Sequence, residues 1–77
     1  MITGVILKNM RVKAGLTQKQ LGEKISVEDN TISSYERGNS QPDLEKIAKI
    51  AKTCGYEIVI RDSKGNILTL EKMSREI

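Results

Sequence analysis

Histidine, tryptophan and phenylalanine are absent from this 77-residue chain, and cysteine and proline occur once each. One cysteine without histidine rules out a Cys/His zinc site and any disulfide within the chain. The imidazole that most proton-transfer sites rely on is missing, and no nucleophile-base pair or phosphate-cradling loop replaces it. The glycines of "ERGNS" and "SKGN" suit turns only. The sequence therefore predicts neither an enzyme nor a cofactor. Aromatic residues stop at Tyr35 and Tyr56, too few to stack a run of single-stranded bases. The longest apolar run near the N-terminus, Val5-Ile6-Leu7, is far shorter than a signal-peptide core or a membrane span. A cytoplasmic protein without membrane contact is the expectation, with Cys54 a reduced, buried and inert thiol on the apolar face of a helix.

What is present fits one small domain. A chain of this length buries a limited core, and with disulfide and zinc excluded the cheapest further support is a second copy of itself. The net charge of +3 permits a polyanionic partner without demanding one. Its distribution says more: residues 1–54 carry nine Lys/Arg against six Asp/Glu, whereas residues 55–77 carry four of each.

Apolar periodicity predicts four helices. Thr3 is placed as the cap of the first, which runs to about Ala14 before Gly15, with Leu7, Met10 and Ala14 inward and Arg11 beside them. Val5 and Val12 form a second apolar line on the opposite side, expected to be covered by something outside the helical core. Thr17 and Gln20 fit a capping box that starts a second helix at Gln18, with Leu21 and Ile25 inward and Gly22 permitting close approach. Ser26-Val27 turns into a third helix over about 29–37. Its Ile32, Tyr35 and Thr31 face one way and Asn30, Ser33, Ser34 and Arg37 the other, at about 100° per residue. Asp43 caps a fourth helix with a wide apolar face of Leu44, Ile47, Ala48, Ile50, Ala51 and Cys54, opposite Lys46, Lys49 and Lys52.

After Gly55 the period falls to two. "YEIVIR" and "NILTLE" flank "DSKG", which predicts strands near 56–61 and 66–71 joined by a turn that uses Gly65 at positive φ. Apolar residues occupy both faces of this hairpin, so both faces want cover. Residues 72–77 are expected to be a flexible tail. The fold class is thus mainly α: a four-helix body over 1–55 followed by an antiparallel β-hairpin over 56–71.

The ordered series "GLTQKQLG", "TISSYERG" and "PDLEKIAKIAKTCG" resembles the helix-turn-helix of the XRE family, the phage repressor and Cro-like DNA-binding domains, over roughly residues 5–55. The resemblance implies that the third helix enters the DNA major groove. It further implies base-reading roles for Asn30 and Ser33, then Ser34 and Asp29, and phosphate contacts from Gln18 and Thr17 at the head of the second helix. Arg37, Asn39, Ser40 and Gln41 match the segment that touches phosphates beside the third helix, and Lys46 is the lysine of the fourth helix nearest the DNA. Arg11 and Glu36 match a structural ion pair that ties the first helix to the third.

Three positions depart from the pattern. Ser26 stands where glycine is common, Glu28 where Ser or Thr often caps the third helix, and Asp29 where neutral or basic residues are frequent. The two acids suit the helix dipole yet repel phosphates. They serve either to penalise wrong DNA sequences or simply to stabilise the helix end. The expected function is a sequence-specific regulator of double-stranded DNA, a homodimeric repressor on a pseudo-palindromic operator. The alternatives are an antitoxin that also holds a toxin, and a protein-interaction module on the same fold. Ile58, Ile60, Leu68 and Leu70 are the dimerisation candidates, with the hairpin either pairing between copies or folding back on Val5 and Val12.

Overall fold

The computed structural model describes residues 2–69. Four helices, α1 Ile2–Lys13, α2 Gln18–Ile25, α3 Asp29–Arg37 and α4 Leu44–Thr53, are followed by strands β1 Val59–Arg61 and β2 Ile67–Thr69. The start of α2 and the span of α3 coincide with those expected from the sequence, because the capping box of α2 and the glycine that closes α3 are local signals. Thr17 accepts the Gln20 backbone N–H at 3.0 Å while its own N–H donates to Gln20 Oε1 at 2.9 Å, completing the capping box. Gly38 closes α3 in the left-handed region at φ 78°, with Asn39 N–H returning to Ser34 O at 2.9 Å.

Leu7, Met10, Leu21, Ile25, Ile32, Ile50, Ala51 and Cys54 form the buried core, drawing at least one residue from every helix. Leu16, Val27, Tyr35, Ile47 and Ile58 pack around it. Two buried glycines set how closely the backbones approach. A Cβ on Gly4 would lie 2.5 Å from Glu36 O and 2.7 Å from Tyr35 O, so α1 rests directly on the carbonyl end of α3. A Cβ on Gly22 would lie 2.5 Å from Val27 O. The close approach expected at Gly22 is thus made by the backbone of the turn into α3.

Several expectations need correction. Helix α1 already includes Ile2, so Thr3 stands inside its first turn instead of capping it. Ala14 is exposed because α1 ends at Lys13 and the chain swings away through Gly15 at φ 74°. Leu44, at the very start of α4, is 54% exposed; the packed residues begin one turn later at Ile47. Val5 and Val12 stay 58% and 56% exposed, so nothing among the described residues of the chain itself covers the second apolar line of α1.

The hairpin has the expected sense and a shorter ladder, pairing Val59 with Thr69, Ile60 with Leu68 and Arg61 with Ile67. Ile58 leaves the ladder to pack on the helical core, which shortens the first strand. The connection is organised by Asp62, whose carboxylate accepts from the N–H groups of Lys64 and Asn66 and from Asn66 Nδ2 at 2.9–3.0 Å. The Asn66 side-chain hydrogen bond is the main reason the Asp62 carboxyl is held below its ordinary range. Gly65 takes the positive φ, 89°, that the turn requires. Leu70 and the tail expected at 72–77 lie outside the described residues.

Candidate nucleic-acid interface

The α2–α3 pair is set by a strained turn. Ser26 ends α2 at φ 61° and ψ 42°, the left-handed region in which a Cβ is costly, and its own N–H and that of Val27 close on Gly22 O. Half-buried Val27 then anchors the turn on the core, and Glu28 enters α3 in extended conformation without a side-chain cap. The departures at Ser26 and Glu28 therefore have visible consequences: one non-glycine residue at positive φ and one uncapped helix start.

Ile32 pins α3 to the core at 2% exposure, which turns the opposite side of the helix outward. Asp29, Asn30 and Arg37 are exposed there, and Ser33 and Ser34 are half-buried. Asp29 Oδ1 accepts the Asn30 backbone N–H at 3.0 Å, so its carboxylate serves the helix end itself. Ser34 and Ser40 share a hydrogen bond between hydroxyls at 2.8 Å, which holds the loop after α3 against the helix. Asn39, Ser40 and Gln41 line that exposed loop, and half-buried Lys46 follows one turn into α4, its N–H capped by Asp43 at 2.8 Å. Side chains able to meet bases are thus flanked by polar and cationic groups able to meet phosphates.

Beneath this surface lies a charged bracket. Arg11 Nε and Nη2 donate to the two carboxylate oxygens of Glu36 at 2.6 and 2.9 Å, a bidentate pair whose side chains are only 11% and 4% exposed. Arg11 Nη1 also donates to Leu16 O at 2.9 Å, fixing the α1–α2 connection, and Gln18 Nε2 donates to Glu36 Oε1 at 3.1 Å. One carboxylate therefore orients α1, α3 and the first residue of α2. Burial acts to raise the Glu36 carboxyl, but the hydrogen bonds from Arg11 and Gln18 and the charges of Arg11 and Lys8 outweigh it and hold it below 4.5. The same hydrogen bond raises Arg11 against the opposing effect of burial. Burial pushes the Cys54 thiol up, as befits an unreactive core cysteine.

Sequence reasoning missed the second partner of Glu36. Gln18, assigned to a phosphate, already spends one amide N–H on that carboxylate, which leaves its second N–H and its carbonyl oxygen as its remaining hydrogen-bonding capacity. Gly4 was missed as well, since a glycine inside a helix carries no sign of which backbone approaches it. Among the dimerisation candidates, Ile60 is 44% exposed and Leu68 half-buried, whereas Ile58 packs on the core of its own chain. Among the described residues no group of acidic or cysteine side chains is placed to hold a metal, and no helix is long and apolar enough to cross a membrane.

The helix-turn-helix family profile matches residues 7–60. Relatives include the cryptic phage CTXphi transcriptional repressor RstR of Vibrio cholerae, 36% identical over 63 residues, 79% of this chain and 57% of that protein. The regulator ImmR of Bacillus subtilis is 41% identical over 51 residues, 66% of this chain and 40% of that one. The chain thus spans about half the length of these two relatives. An uncharacterised helix-turn-helix transcriptional regulator of Methanothermobacter thermautotrophicus is 34% identical over 64 residues, covering 78% of this chain and 93% of its own. No solved structure matches the chain significantly. On the family match and on the geometry of α2 and α3, the chain belongs to the helix-turn-helix family, in its XRE branch of phage repressor and Cro-like domains.

Proposed function

We propose that this protein is a sequence-specific double-stranded DNA-binding transcriptional regulator of the repressor type, working in the cytoplasm as a homodimer on a pseudo-palindromic operator. The observation that carries the reading is the presentation of α3: Ile32 fixed in the core, with Asp29, Asn30, Ser33 and Ser34 outward beside the capped start of α2. In this reading Asn30 pairs with a base edge, adenine being the partner that an amide matches bidentately, and Ser33 reads its neighbour. Gln18, steadied by Glu36, and the Thr17–Gln18 backbone meet one phosphate, while Arg37, Asn39, Ser40, Gln41 and Lys46 meet those on the other side of the groove. Repression follows from occupancy.

One copy reads about half a turn, so two copies with centres about 34–36 Å apart complete the site. The experiment is selection from randomised duplex DNA by the purified protein, followed by affinity against salt. An inverted repeat should emerge. Arg37 and Lys46 supply the cations nearest the DNA, so a dimer should show a slope of log K against log salt of about −4. Absence of an enriched site would remove the reading.

Glu28 and Asp29 suppress attraction to arbitrary phosphates. Changing Asp29→Asn should tighten binding to random duplex more than to the selected site, whereas equal tightening would leave helix-end electrostatics as their whole role. The same two acids favour one second reading, a protein-interaction module, which predicts no salt-dependent DNA binding at all.

A further inference from the structure

Of the large apolar side chains that remain at least 42% exposed among the described residues, all but Leu44 lie on α1, on the hairpin or at Tyr56 between them. On α1 these are Ile2, Val5, Ile6 and Val12, at 76%, 58%, 47% and 56% exposure. At about 100° per residue they fall in one sector roughly 120° wide, opposite the inward Gly4 and Leu7. A helix apolar on both sides is one that expects cover on both sides. The hairpin repeats the pattern. Ile58 turns to its own core, and strand alternation puts Ile60 and Leu68 on that same face, while Val59 and Ile67, 42% and 51% exposed, share the other. Tyr56 joins the two surfaces, lining with Ile6, Asn9, Met10 and Lys13 a surface cleft of about 420 Å³.

We propose that this surface seats a second copy of the chain, the Val59–Ile67 face of each hairpin lying on the outer stripe of α1 of the other. Area is the first argument. At their exposed fractions these side chains present on the order of 800 Å², which is what each partner contributes to an interface of standard size. Two-fold symmetry is the second: a hairpin patch and a helix patch on one chain meet their counterparts twice in a closed dimer, and no open-ended chain of contacts results. The third is marginality. A two-stranded hairpin is barely stable unless something packs on it. The seat also lies on the side of α1 turned away from α3 and α4, which leaves the outward residues of α3 free in both copies.

The inference rests on the homodimer part of the functional reading, and its test uses no DNA. The full chain is examined by sedimentation equilibrium, together with the double variant Val5→Glu, Val12→Glu, whose two positions are exposed and outside the core. The expected result is a wild-type dimer and, for the variant, a dissociation constant raised by about 30-fold or more with an unchanged helical spectrum. As a check that does not depend on that variant folding, Val12→Cys and Ile67→Cys are combined in a Cys54→Ala background, and copies of two isotopic masses are mixed and oxidised. Disulfides joining the two masses support the seat. Disulfides confined to one chain overturn it, since the stripe is then covered by the chain's own hairpin. A dimer indifferent to the double variant overturns the seat and leaves the homodimer standing; a monomer at millimolar concentration overturns both.

Discussion

The hairpin is richer in branched apolar residues than the helical body, yet it buries them less well. In the body Leu21, Ile25, Ile32 and Ile50 are each at most 2% exposed, while in the hairpin Val59, Ile60 and Ile67 remain 42–51% exposed. The period of the pattern explains the contrast. A helix gathers its apolar residues on one stripe that a neighbour can cover, whereas consecutive apolar residues in a strand point to both faces and one packed layer covers only one of them. Among the described residues the core of the body is closed within a single chain, whereas the hairpin and the outer stripe of α1 are left open. That division fits a molecule whose body meets DNA and whose hairpin meets another protein surface.

Mutations can break this comparison in order of size. Truncating Ile50→Ala should destabilise the folded chain by about 3 kcal/mol in denaturant titrations, because the site is sealed. The matching change Ile67→Ala should leave the intrinsic stability of the monomer within about 0.5 kcal/mol. Equal effects at the two sites would erase the distinction between body and hairpin.

Glu36→Ala should cost a similar amount, about 3 kcal/mol, by leaving Arg11 without its partner in a site only 11% open to solvent. The sign with pH follows from its lowered carboxyl. The stabilisation is fully present above 4.5, the ordinary value for this group, and disappears as pH falls through the lower value of the folded state. Glu36→Gln should flatten that acid limb of the stability curve, measured by thermal melts across pH; an unchanged limb would take the pair out of the account.

Smaller changes sharpen the picture of the body. Gly4→Ala should destabilise by about 2 kcal/mol, as its Cβ meets backbone carbonyls that cannot give way without moving α1 off α3. Ser26→Gly should do the reverse and stabilise by about 1 kcal/mol, relieving the positive φ of the turn. Should Ser26→Gly prove neutral, the turn is unstrained and the departure from glycine is without cost.

The parts of this fold that could be read from sequence are those with local causes. Thr17 and Gln20, Asp43 and Gly38 marked helix ends because caps need particular side chains at particular spacings, and Asp29–Arg37 emerged with its bounds intact. The parts that could not be read have causes distant in sequence. That Gly4 lies under the carbonyls of Tyr35 and Glu36, and that Gln18 shares Glu36 with Arg11, depend on how α1, α2 and α3 come together. Thr3 misled because a hydroxyl near a helix start is a cap only if the helix begins after it. Leu44 misled because an apolar residue in the first turn can precede the point where packing begins. At the interface the outward set of α3 was legible from its period, whereas the bond between Ser34 and Ser40 depends on the path of a loop with no regular pattern.

The central claim is that α3 reads base edges, and repeating the selection from randomised duplex with Asn30→Ala tests it most directly. The account predicts that the inverted repeat keeps its spacing but loses preference at one symmetric position in each half-site, by roughly 5- to 150-fold in affinity for the preferred base, the worth of one good amide-to-base pair. An unchanged site with unchanged preference at every position would contradict it.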